Sequence, residues 1–249
     1  MCGATSDNVW DHAIGDVIMQ HRPNRASAYY NLASARLKLG YYADAELTFR
    51  QTLAADRELL GDEHPNVLSD TEQLAMTLKH QQKFEEAELL QRDVLARRIS
   101  TLGASHPQVA TAHVNLASIV SLQGDLAEAE QHCHRAIGIL EPVEPGSQSM
   151  FAAKAQLASI YWRQGLLEQS EVAYVQLLEQ QRATLADDHP DVARTLHGLG
   201  IVLLAQRKPA AKELQEALRI RESVLGADHP DTIATRSVIE HQRDESRLP

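Results

Sequence analysis

"HPQVATAHVNLASIVSLQGDLAEAE", residues 106–130, opens with a dipeptide that the chain uses four times. His-Pro recurs at 64–65, 106–107, 189–190 and 229–230, so the histidines are 42, 83 and 40 residues apart. The 83 is two steps of about 42, with a degenerate copy between them at "PGSQSM" (145–150). A period of this size marks a repeat architecture, in which each unit buries its apolar face against its neighbours.

Counting from each start makes the register visible. Nine residues after Pro23, Pro65, Pro107, Gln148 and Pro190 stand Leu32, Leu74, Leu116, Leu157 and Leu199. The next position is always small: Ala33, Ala75, Ala117, Ala158 and Gly200. Seventeen residues on come Gly40, Gln82, Gly124, Gly165 and Arg207, and at twenty-two Ala45, Ala87, Ala129 and Ser170. Each unit therefore reads as two helices. Proline suits the first helical position, where its missing N–H costs nothing, and the preceding histidine can offer a ring nitrogen to an orphan N–H. Helix A of about 15 residues carries Val109, Leu116, Ile119 and Val120 at helical spacing and stops at Gly124. Helix B, 125–140, lines up Leu126, Ala129, Cys133, Ala136, Ile137 and Leu140. Small residues on both helices let their axes approach closely, and the glycines at 61, 103 and 226 end helix B.

Six starts fit this register: near 23, 65, 107, 148 and 190, with a partial one at 230. The last has only a helix A, charged toward its end as a closing helix that meets water should be. Residues 1–22 are expected to form a tail with a short docking helix over 9–20, ahead of an array spanning 23–249. Pro209 can open the fifth helix B but not lie inside it.

Composition narrows the function. Asp and Glu number 34 against 24 Lys and Arg, and the net charge of −10 disfavours nucleic acid or an anionic membrane as partner. The two cysteines, Cys2 and Cys133, make no disulfide framework. The start "MCGATSDNVW" has no signal-peptide pattern, and no run of 18 apolar residues occurs. A cytoplasmic protein, with a monomer favoured, is the expectation.

The Leu-Ala of helix A, the glycine turn and the central alanine of helix B resemble the tetratricopeptide repeat. The longer period, with "G-x-x-H-P-x-V-A…N-L-A", resembles the kinesin-light-chain type of that repeat. The resemblance implies an all-α fold: an α-solenoid coiled as a right-handed superhelix of about five hairpins plus a C-terminal closing helix. It further implies that the A helices line a concave groove.

Metal ligands must all lie near 2.1 Å from one ion, whereas packed helices stand about 8–10 Å apart. The four His-Pro histidines therefore read as helix caps, not as a metal site. His132 and His134, two apart on a helix, point away from each other. No zinc, nucleophile-elbow or phosphate-loop signature is present, and no cofactor is expected. An enzyme working through groove histidines His80 and His197, metal-dependent, is the remote alternative.

Function should reside where the copies differ along the expected lining. Eight residues from each start stand Asn31, Gln73, Asn115 and Gln156, carboxamides that both donate and accept, as suits a peptide backbone. The family resemblance implies peptide contact for Asn31 and Asn115. The fifth copy departs, with Gly198. The lining also carries Lys38, Lys79, Arg163 and Arg194 against Glu72, with Trp162 beside Arg163 as a candidate anchor. Four cations on a concave wall favour an acidic segment. The leading expectation is thus an adaptor or scaffold binding a peptide segment of another protein, an acidic one among the candidates. The alternative is a regulatory domain of a larger protein whose groove is filled in cis.

Overall fold

The computed structural model describes residues 23–245, and the docking helix expected at 9–20 lies outside the described residues. Among the described residues there are eleven α-helices and no strand. The A helices are α1 (Pro23–Lys38), α3 (Pro65–His80), α5 (Pro107–Gln123), α7 (Gln148–Arg163), α9 (Pro190–Ala205) and α11 (Pro230–Glu245). The B helices alternate with them: α2 (Tyr42–Leu60), α4 (Phe84–Leu102), α6 (Leu126–Leu140), α8 (Leu167–Thr184) and α10 (Ala211–Val224).

The starts are built as the repeat predicts. The Nδ1 atoms of His64, His106, His189 and His229 accept from the backbone N–H groups of Asn66, Gln108, Asp191 and Asp231, at 3.1–3.2 Å. In the degenerate copy Ser147 Oγ does the same for Met150 N at 3.2 Å. Helix A ends in the left-handed region at one position in each of the first five copies. Gly40, Gly124 and Gly165 have φ of 83°, 102° and 80°, and Gln82 and Arg207 adopt 62° and 57° in spite of their side chains.

The chain divides into two units, Met1–Lys83 and Phe84–Pro249. In the first, α1 and α2 pack as a hairpin, and α3 packs on both. Ala33, Ala45, Phe49 and Ala75 are fully buried there. In the second unit α4 packs on α5, and then α5–α6, α7–α8 and α9–α10 follow as hairpins, with α11 on α10. The small-residue rule is visible at α9: a Cβ on Gly200 would meet Leu214 Cγ at 2.6 Å, so α10 sits against bare backbone. Cys133 lies in the core with Leu116, Ala117 and Ala129, and burial pushes its thiol up to about 12.

A polar clamp joins α3, α5, α7 and α9 each to the B helix of the preceding repeat. In the first unit Gln81 Nε2 donates to Tyr42 O at 3.2 Å and to Glu46 Oε2 at 2.7 Å. In the second unit Gln206 repeats this on Leu167 O at 3.1 Å and Glu171 Oε2 at 2.9 Å. Gln123 reaches Glu88, and Gln164 reaches Glu130, each at 2.8 Å.

Candidate functional site

In the second unit the expected lining lies along α5, α7 and α9. Asn115 and Gln156 are half-buried. Gln156 Nε2 donates to Ser121 Oγ at 3.1 Å, and Arg163 Nη1 donates to the carbonyl of the same Ser121. The C-terminal end of α5 is thus held by two side chains of α7. Beside them Trp162 is 38% exposed. Arg194 is exposed but paired with buried Asp191 at 2.8 Å, so a carboxylate outside the predicted positions offsets one expected cation. The ladder breaks at Gly198 for a steric reason. A Cβ there would meet the Tyr174 ring at 2.6–2.7 Å, so α9 has room for no side chain at that position.

In the first unit Asn31 and Lys38 on α1 are exposed, and Gln73 and Lys79 on α3 are half-buried. Gln73 hydrogen-bonds Tyr30, whose hydroxyl burial and the Asp70 and Glu72 carboxylates raise in pKa. His80 stacks on Tyr42, ring centroids 4.9 Å apart. Glu72, the one acid expected on the lining, is 7% exposed, and two further buried carboxylates accompany it: Asp56 on α2 and Asp70 on α3. They share a hydrogen bond, and burial together with the Asp56 charge raises Asp70 to about 7. Both stand on the floor of a pocket of about 320 Å³.

His132, which the sequence sets apart from His134, has its partner on the neighbouring helix. His132 Nδ1 lies 2.8 Å from His113 Nδ1, on α5, and both rings are buried. Spacing along one helix cannot reveal a contact between two. Burial lowers both imidazoles, His113 to about 4, and His197 is likewise lowered to about 4 by burial beside Arg221. Among the described residues no group of three potential ligands could hold a metal ion. No helix among them is long and apolar enough to cross a membrane.

A second cleft, of about 520 Å³, lies in the second unit between α6, α7 and α8, with Ile137, Leu157, Tyr161, Val172 and Leu177 among its walls. Its residues belong mainly to α8 and to the face of α7 away from Gln156, outside the expected lining.

The sequence profile of the tetratricopeptide repeat matches residues 24–100, 68–141 and 149–216. No curated relative matches the sequence. Among solved structures, the nearly identical kinesin light chain TPR-like repeats of Podosopora anserina share 24% identity at a TM-score of 0.60, over 82% of this chain and 98% of that one. BtubC (BKLC) from P. vanneervenii shares 23% at 0.62, over 84% of this chain and 86% of that one. Bacillus thuringiensis PlcR, solved with the peptide PapR7 and DNA, shares 12% at 0.67, over 87% and 74%. At these identities the likeness is one of fold.

Proposed function

The chain belongs to the tetratricopeptide repeat family, and on that footing we propose that it is a non-catalytic adaptor whose A helices capture a peptide segment of another protein. Support comes first from chemistry. Carboxamides recur at one helical position, Asn31 and Gln73 in the first unit, Asn115 and Gln156 in the second. Such groups satisfy a peptide backbone of any sequence, because each offers both a donor and an acceptor. The observation that carries the reading is the exposed pair Trp162–Arg163 at the end of α7, on the helix that also presents Gln156. An exposed aromatic beside a guanidinium is the usual composition of a binding anchor, and its charge suits a segment bearing carboxylates. Gln156 and Arg163 are already oriented by Ser121, so little ordering is lost on binding.

PlcR, of the same fold, was solved with a bound peptide, and this fits the reading. The test is affinity capture from the native lysate with mass spectrometry, comparing the wild type with Trp162→Ala and with Asn31→Ala/Asn115→Ala. Both variants should lose the captured partner while melting within a few degrees of wild type. Capture that survives both variants overturns the reading, and so does an Asn pair variant that no longer folds.

A further inference from the structure

The pocket in the first unit is defined by a break in the repeat. Five residues before the glycine that ends helix B stand Asp56 on α2, Arg98 on α4 and Arg221 on α10. Both arginines are buried, at 6% and 7% exposure, and they do the same thing. Arg98 Nη1 donates to Gln108 O at 3.1 Å, in the first turn of the following A helix. Arg221 Nη1 donates to the equivalent Asp231 O at 2.8 Å and to Thr235 Oγ1 at 2.5 Å. Both seats thus use the first-turn carbonyl, and at Arg221 the side chain four residues further on, Thr235, adds a second acceptor, where the Arg98 seat has Ala112.

In the first unit the corresponding seat is made by Asn66 and Asp70, and both line the pocket of about 320 Å³. Asp56 occupies the arginine position, but it is shorter and has the opposite charge. It leaves open the space that a guanidinium fills elsewhere. Asp56 and Asp70 form the floor, 4% and 2% exposed, while Ser27, Asn31 and Asn66 at the mouth are exposed. Asp70 Oδ2 is buried in that floor without a hydrogen-bond partner. A buried carboxylate oxygen with nothing to accept from is costly, and a pair of adjacent carboxylates more so.

We propose that this pocket takes the guanidinium of an arginine side chain from a peptide partner, which restores in trans the contact that Arg98 and Arg221 make in cis. The fork of a guanidinium donates to both carboxylates and to the Asn66 carbonyl at once, which a lysine ammonium on its narrower stem does less well. The inference rests on the peptide-binding reading and adds to it one side chain that such a segment carries.

The experiment titrates the full chain at pH 8 with acetyl-Gly-Arg-Gly-amide, followed by amide chemical shifts. The citrulline and lysine analogues serve as probes of charge and of shape. The arginine peptide should shift the resonances of Asn66, Ser69 and Asp70. The citrulline peptide should bind at least about tenfold more weakly, and the lysine peptide should fall between them. Asp56→Asn and Asp70→Asn should each weaken the arginine peptide about tenfold. Asp56→Arg should raise the melting temperature by refilling the seat and abolish binding of the probe. Equal binding of the arginine and citrulline peptides, or Asp variants that bind as the wild type does, overturns the proposal. Partner capture through Trp162 is read in the other unit, so it can stand when arginine recognition fails.

Discussion

At the level of single residues, buried ionisable groups decide how this protein responds to pH, and they pull in opposite directions. His113, His132 and His197 are held neutral by burial, so their folded pKa values lie below the unfolded value of about 6.5. The unfolded chain therefore binds more protons than the folded one below that pH. Stability these groups leave intact above it is lost as pH falls toward 4. His132 also faces Glu128, which favours its charge, and Arg135 and Arg92, which oppose it, so His113 sets the lower limit of the window. Replacing both members of the pair, His113→Leu with His132→Leu, should leave the melting temperature at pH 7.5 nearly unchanged. It should also flatten the decline between pH 6.5 and 4.5, leaving the part due to His197. An unaltered slope in circular-dichroism melts would refute the assignment. Asp70 acts in the reverse sense: its folded pKa is raised to about 7, so its contribution is full below about 4 and is lost as pH rises through 7. Asp70→Asn should accordingly raise the melting temperature at pH 8 and change it little at pH 5.

At the level of helices, most of the architecture was legible in the sequence, because structural positions recur and recurrence filters out everything else. Proline at the start, the capping histidine, the small residue on each helix and the left-handed stop all fall where the period places them. Gln82 and Arg207 show how strongly the context imposes that stop. Both take positive φ although a Cβ there is strained by about 1 kcal/mol. The Gln–Glu clamp recurs just as regularly, at Gln81, Gln123, Gln164 and Gln206, yet it is not legible in the sequence. Polar surface residues are common enough that their register means nothing until geometry joins two helices. The arginine position lies on helix B, outside the A-helix lining where the copies are expected to differ, so its inversion to Asp56 carries no signal until the pocket is built. Leu116 and Asn115 are neighbours on α5 and separate structure from function. Leu116 is fully buried, and Leu116→Ala should cost about 2–5 kcal/mol by urea denaturation. Asn115→Ala, one residue away and half-buried, should cost less than a third of that.

For the whole molecule, a chain whose helices touch mainly their sequence neighbours distributes its stability locally. In the second unit each helix packs on the one before and the one after, with additional contacts between successive A helices. Stability in such an array is roughly a sum of repeat terms and nearest-neighbour interfaces, so an injury should travel only as far as its interfaces carry it. The closing helix α11 makes this testable. It is joined to α10 by Ile239 in the core cluster, by Arg221 on Thr235 and by an Arg236–Glu222 pair at 2.8 Å. Ile239→Ala should therefore increase amide hydrogen exchange in α10 and α11 while leaving α5 and α6 at wild-type protection. Leu116→Ala, set in the core that joins α4, α5 and α6, should loosen those helices first and α11 last. Hydrogen-exchange mass spectrometry on the two variants distinguishes this from a single cooperative core, which would lose protection evenly across the unit whichever residue is removed.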